Sequence, residues 1–336
     1  MNTSPPPAVD SLLREPFEVV LRPSFEGANI SFAIGFKHIN YLAEAAVLER
    51  FRAAGLPAGG MYERYGLGFD VVDISSRLGM TVHGDDDVRC QVRPSTVDGS
   101  DRLGFQVTMS AERDGEVKKL ATSKVRVALR VDDHVKATEP VPAELSRFAV
   151  PRLGTATPLP LSARSSETTS FTLGRGTTGP DPVLAELTAG GNAFGWKWRV
   201  PYFYCHFSDR MHMSAFLRVM EEVVDLFLAE RGLPIRPVLH GRGWIPVVTT
   251  SRVQLLDEVL MEEDLYTVYT VQDVFKDLLY SSRMDCYVVR DGALVPVATG
   301  NITHGYMVEG EHNQWSLVTF DVETLGALRG EPARVG

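Results

Sequence analysis

Two similar α+β halves, each an antiparallel sheet curled around one helix, are predicted by three features of this 336-residue sequence. A mostly apolar helix running from Gly35 to a stop at Gly55-Leu56-Pro57 returns as a second helix from His212 to a stop at Gly232-Leu233-Pro234. Each stop is a C-cap glycine with a proline close behind. After each helix comes a run of strands with a shared Val-Val-x-x-Ser signature, at Val71-Val72-Asp73-Ile74-Ser75 and at Val247-Val248-Thr249-Thr250-Ser251. A repeat this long marks a duplicated domain, because solenoid units recur every ~20 to 50 residues.

In chain order, residues 1–15, with Pro5-Pro6-Pro7, read as a loose arm. Residues 16–133 make the first domain. Phe17, Val19 and Leu21 alternate along an opening strand, and His38 and Asn40 stand in the entrance to the first helix. Tyr62, Arg64 and Tyr65 follow in a glycine-bordered turn, Ala58 to Gly66. Strands are expected at Phe69–Ser75, Val88–Val92, Gly104–Ser110 and Lys118–Val131, with Asp114-Gly115 as a hairpin turn. One strand, one helix nearly apolar all round, then four strands is the hot-dog plan, and its recurrence makes the fold class a double hot-dog.

Residues 134–166, with five prolines and no sustained periodicity, read as a linker. The second domain spans residues 167–325, and residues 326–336 form a tail. Ser170 to Asn192 reads as irregular. In the second helix Met213, Phe216, Leu217, Met220, Val223, Val224 and Phe227 keep an i, i+3, i+4 rhythm, entered through Ser208-Asp209-Arg210-Met211-His212. Further strands follow it, with Asp291-Gly292 as the matching hairpin turn.

Composition narrows the function. The net charge is −9, from 34 basic and 43 acidic residues, which argues against a nucleic-acid partner, since phosphate binding needs a concentrated positive field. Hydrophobic content of 44% and charged content of 23% are those of an ordinary soluble domain pair. No apolar run approaches the ~18 residues of a membrane span. Cys90, Cys205 and Cys286 are widely spaced and form no CxxC, which fits a reducing, cytoplasmic setting and offers no zinc framework. No metal site is expected.

Gly174-Arg175-Gly176-Thr177-Thr178-Gly179 satisfies G-x-G-x-x-G on paper, but Pro180 and Pro182 follow at once, so a flexible loop is the better reading than a dinucleotide site. Tyr62 needs a neighbouring cation or donor before its phenol is useful near neutral pH, and Arg64 is one such neighbour. At the N-terminal end of a helix, His38 and Asn40 would favour a developing negative charge. Asp209 and His212 occupy the matching entrance of the second half and could act as a general-base pair. Each of these also has a structural reading, as a cap or a packed ring.

At Phe36-Lys37-His38-Ile39-Asn40-Tyr41-Leu42, Gly60 to Asp73 and Ser208 to His212 the sequence resembles the double hot-dog enzymes of acyl-CoA and acyl-carrier-protein metabolism. Within them it most resembles the bifunctional acyltransferase/decarboxylase type of leinamycin polyketide (antibiotic) biosynthesis. The resemblance covers nearly the whole chain after the arm. It implies decarboxylation of methylmalonyl-CoA, with transfer of the propionyl group to the phosphopantetheine thiol of an acyl carrier protein. It further implies a catalytic tyrosine, for which Tyr62 is the matching position; beside it His38, Asn40, Arg64 and Tyr65 are expected around the acyl group, with no bound cofactor beyond the CoA thioester substrate. Tyr62 as acyl carrier, as carboxylate orienter and as proton donor all stay open. A thioesterase using Asp209 and His212 and a non-catalytic carrier-protein binding module are the alternatives, and a homodimer is compatible with the fold. The Asp-x-x-Gly-His type of entrance usual in hot-dog thioesterases is absent, since Asp209-Arg210-Met211-His212 lacks the glycine.

Overall fold

The computed structural model describes residues 9–163, 180–310 and 315–331. In chain order the elements begin with α1 (Val9–Arg14), β1 (Phe17–Leu21), α2 (Phe36–Ala53), α3 (Ala58–Tyr65) and β2 (Leu67–Leu78). β3 (Val88–Pro94), β4 (Leu103–Arg113), β5 (Glu116–Val131) and β6 (Ala149–Val150) complete the first stretch. α4 (Pro182–Leu187), β7 (Ala193–Arg199), β8 (Cys205–His206), β9 (Arg210–Met211), α5 (Met213–Glu230) and α6 (Ile235–Arg242) follow. β10 (Ile245–Leu255), β11 (Asp264–Phe275), β12 (Leu279–Arg290), β13 (Ala293–Glu309), β14 (Trp315–Leu317) and α7 (Val322–Arg329) close the chain.

Two compact units emerge. One comprises Met1–Thr155, Phe203–Ser214 and Arg252–Glu258; the other comprises Ala156–Tyr202, Ala215–Ser251 and Val259–Gly336. Phe203–Ser214, which chain order places in the second half, thus belongs to the first unit.

In the first unit the strands run in the order β1-β3-β4-β5-β2, each antiparallel to its neighbour, and α2 touches all five. The helix is apolar on most sides because the sheet surrounds it: Ile39, Ala43, Ala46, Val47 and Phe51 are each 1% exposed or less. Phe51 meets Phe69 at 5.0 Å and Phe105 at 5.7 Å, edge to face. A ring buried this completely contributes roughly 2 to 3 kcal/mol. Asp114 and Gly115 turn β4 into β5 with φ of 53° and 75°, the left-handed pair of a type I′ hairpin.

In the second unit β7-β11-β12-β13 run antiparallel in that order, with β14 beside β13. Phe227 of α5 lies 6.5 Å from Phe194 of β7 and 5.0 Å from Tyr269 of β11, so this helix also packs on its sheet. Asp291 and Gly292 repeat the hairpin turn, with φ of 51° and 73°.

The structure extends and corrects several sequence expectations. Val9–Arg14 of the expected loose arm is a helix with Leu12 fully buried, and Arg50 donates to Ser11 Oγ at 2.8 Å. The expected tail begins inside α7, whose Leu328 is buried. Within the expected irregular stretch, Asp181 caps α4 by accepting from the amides of Val183 and Leu184. Gly174 to Gly179 lie outside the described residues. His38 and Asn40 are in the first turns of α2, which starts at Phe36, and Tyr62 sits in a helix where a turn is expected.

Candidate functional site

α3 and its counterpart α6 carry the repeat one element further than the sequence pattern alone. Both start after a proline, Pro57 or Pro234, and both end at a left-handed glycine, Gly66 at φ 65° or Gly243 at φ 68°. Counting from those prolines, Tyr62 matches Leu239. The phenol is confined to the first copy.

In the first unit the side chains around Tyr62 come from three places: the end of α3, the outer face of β2 with the end of β5, and the segment Phe203–Ser214. Side chains alternate along a strand, and Phe69 packs on α2, so Gly68 and Asp70 face the other way. There Arg210 bridges two carboxylates, Nη2 to Asp70 Oδ2 at 3.2 Å and Nη1 to Asp132 Oδ2 at 2.9 Å. All three are nearly inaccessible, at 2% for Asp70, 4% for Asp132 and 2% for Arg210. A glycine at position 68 makes the approach feasible: a Cβ there would lie 2.7 Å from Arg210 Nη2 and 3.0 Å from the Phe207 ring.

Each carboxylate has further donors. His206 Nε2 donates to Asp70 Oδ1 at 2.7 Å. Asp132 accepts from the His134 amide at 3.0 Å and from Ser208 Oγ at 3.0 Å. Burial works to raise the Asp132 pKa, but the His134 amide, Arg210 and Ser208 outweigh it and hold the carboxyl well below its usual range. Phe207, at a positive φ of 57°, meets two further rings: its centroid is 4.8 Å from Tyr62 and 4.6 Å from His206. The Tyr62 pKa is raised above 10, first by burial, then by the charge of Asp132 and by hydrogen bonding toward it, with Arg210 working the other way. The phenol is therefore held neutral, as a donor. Glu44, one helical turn beyond Asn40 on α2, has its pKa pushed up to about 7 by burial, with His206 lowering it and Asp70 raising it.

The remaining expected site residues have other surroundings. Arg64 donates to the Gly60 carbonyl at 3.3 Å and the Gly55 carbonyl at 3.2 Å and lies over the Tyr65 ring, so its guanidinium ties α3 to the link that follows α2. Tyr65 itself is 5% exposed. Asn40 is wholly buried: its amide donates to the Phe36 carbonyl at 2.9 Å and its oxygen accepts from Ser76 Oγ at 2.8 Å, tying α2 to β2. His38 is 5% exposed, against Gly27 and edge-on to Tyr41 at 4.9 Å. Both thus stand inside the unit, not at an open helix entrance. Asp209 accepts from Ser208 Oγ at 3.1 Å, while His212 Nδ1 pairs with Ser214 Oγ. Burial, with Asp209, pushes the Cys205 thiol up to about 11, which leaves it a poor nucleophile.

Asp70, Asp132, His206 and Arg210 are the members that sequence reading missed. One signal was present: Asp70 interrupts the apolar run Leu67 to Val72, where a carboxylate must be buried and paired. Among the described residues no cluster of three or more His, Cys, Asp or Glu could hold a metal ion, and no helix is long and apolar enough to cross a membrane.

No protein-family model matches the sequence, and no curated protein matches it. Solved structures do. A protein described as an oleoyl thioesterase from Lactobacillus plantarum is 12% identical, with 87% of this chain and 96% of that one covered at a TM-score of 0.55. The 12:0-ACP thioesterase from Umbellularia californica is 10% identical, covering 90% and 98% at 0.53. An acyl-ACP thioesterase from Bacteroides thetaiotaomicron is 10% identical, covering 86% and 96% at 0.50. At such identities the likeness establishes the fold, which is the fused double hot-dog.

Proposed function

We propose that the protein is an enzyme acting on acyl thioesters of CoA or of an acyl carrier protein. Thioesters of this kind are named for two of the three structural neighbours, and an oleoyl thioesterase is the third. Within that class the reading we favour is decarboxylation of a malonyl-type thioester, methylmalonyl-CoA, followed by passage of the propionyl group to a carrier-protein phosphopantetheine thiol in the cytoplasm.

The observation that carries this reading is the neutral Tyr62 phenol beside the Asp132–Arg210 pair. Loss of CO2 from a malonyl-type thioester leaves an enolate, which needs a donor at its oxygen and then a proton at its carbon. A neutral phenol supplies either. The raised pKa keeps the proton on the phenol, which suits the donor role, whereas the acyl-carrier role would in addition need a base to take that proton.

Thioester hydrolysis is the second reading, favoured by the neighbours and by a half-buried carboxylate at Glu44 that titrates near neutrality. It differs from the expected Asp209 and His212 mechanism, because each of those side chains has its own serine partner. One experiment separates the readings. Methylmalonyl-CoA is incubated with and without a phosphopantetheinylated carrier protein, and products are read by mass spectrometry. The favoured reading expects propionyl carrier protein, with a loss on the order of 100-fold in Tyr62→Phe. Free CoA appearing at full rate without carrier protein would instead select the hydrolase, and an undiminished Tyr62→Phe would remove the phenol from the chemistry.

A further inference from the structure

Acyl transfer to a thiol needs a base, and the phenol of Tyr62 cannot be it. The raised Tyr62 pKa leaves no phenolate to take a proton near neutral pH. Cys205 and Ser208 do not serve either: the thiol is held protonated, and the hydroxyl is engaged with Asp132 and Asp209.

The Asp70–His206 pair has the required geometry. Asp70 is 2% exposed, and both its oxygens are committed, Oδ1 to His206 Nε2 at 2.7 Å and Oδ2 to Arg210 Nη2 at 3.2 Å. A carboxylate fixed on both sides cannot swing away, so it sets the orientation of the imidazole and keeps the proton on Nε2. Nδ1 is then the basic nitrogen. It has no hydrogen-bond partner among the described residues, and the side chain keeps 31% of its surface accessible. Phe207 holds the ring at 4.6 Å on the same aromatic shelf that meets Tyr62 at 4.8 Å. The charged and titratable groups around it are Asp70, Arg210, Asp132, Glu44 and His212.

We propose that His206, positioned by Asp70, is the base that takes the proton from the thiol accepting the acyl group. This rests on the transfer reading given above. The thiol S–H bond breaks as an Nδ1–H bond forms, and the thiolate closes a new C–S bond at the acyl carbonyl. The C–S bond to CoA then breaks, and the departing CoA thiolate takes the proton back from Nδ1. The imidazole ends neutral and no other reagent is consumed.

The test uses the full-length protein, propionyl-CoA as donor and small thiols of falling pKa as acceptors, from N-acetylcysteamine to trifluoroethanethiol. His206→Gln should lose on the order of 100-fold with the alkyl thiol and less than about threefold with the acidic thiol, which ionises unaided. Asp70→Asn should show the same thiol dependence at smaller amplitude, and added imidazole should restore part of the activity of His206→Ala. Equal losses along the thiol series, or a His206→Gln protein within about threefold of wild type throughout, would overturn the base while leaving wild-type transfer intact. A wild-type protein that passes the acyl group to no thiol would overturn both this proposal and the reading beneath it.

Discussion

Arg210 Nη1 lies 2.9 Å from Asp132 Oδ2, with both side chains at 3% exposure or less. A pair so far from water contributes little by itself, because desolvating the ions offsets most of their attraction. Breaking it is another matter. Arg210 also holds Asp70, so its removal would leave two buried carboxylates with only neutral donors and an imidazole.

Arg210→Met should therefore destabilise the protein by about 3 to 5 kcal/mol, read as a shift in the urea midpoint at unchanged m-value. The triple change that also makes Asp70→Asn and Asp132→Asn should recover much of that loss, since no uncompensated charge remains. Equal instability in the single and triple variants would show that packing, not charge, fixes this cluster.

Glu44 gives the first unit an unusual response to alkali. Its folded-state pKa, about 7, lies above the ordinary 4.5 because burial penalises the carboxylate. A raised value means that the folded protein holds the proton more tightly than the unfolded chain. Stability from this group is thus fully present below about pH 4.5 and is lost as pH climbs through about 7. The side chain keeps some solvent contact, which reduces the effect to the order of 1 to 2 kcal/mol. Glu44→Gln should match wild type near pH 5 and exceed it at pH 8 in chemical denaturation. Parallel curves for the two proteins across that range would remove the burial argument.

The pieces of this fold that could be read from sequence are those set by local chemistry. Glycine followed by proline ends both central helices, and Asp-Gly turns close both hairpins, because left-handed backbone is confined to few residue types. α3 was not legible. Gly59 and Gly60 disfavour a helix, and packing of α3 against β2 overrides that preference. The site behaves likewise. Tyr62 stands out as a phenol between glycines, but its partners arrive from afar: His206 reaches Asp70 across 136 residues, and Arg210 reaches Asp132 across 78. Nothing in a one-dimensional pattern marks such meetings. Asn40 misled for the opposite reason, since a polar residue near a helix start reads as a donor to ligand, while here it bonds to Phe36 and Ser76.

The second unit carries its own pH sensitivity, of opposite sense. His304 on β13 is buried, stacked on Tyr280 at 5.0 Å and 19°, and its Nε2 has no hydrogen-bond partner among the described residues. Burial lowers its pKa from 6.5 to about 3, so the ring stays neutral in the folded protein while the unfolded chain gains a proton on mild acidification. Stability from this group is complete above about pH 6.5 and drains away as pH falls toward 3. The limiting size is on the order of a few kcal/mol, enough to dominate the early part of acid unfolding. His304→Leu removes the titration along with some packing. Its urea midpoint should start below that of wild type at pH 7, and the gap should narrow steadily by pH 4. Carboxylates elsewhere tilt both curves alike, so the difference between them isolates the imidazole. A gap that stays constant from pH 7 to pH 4 would mean that His304 is reached by protons without unfolding, and that the enclosure around it opens in the native state.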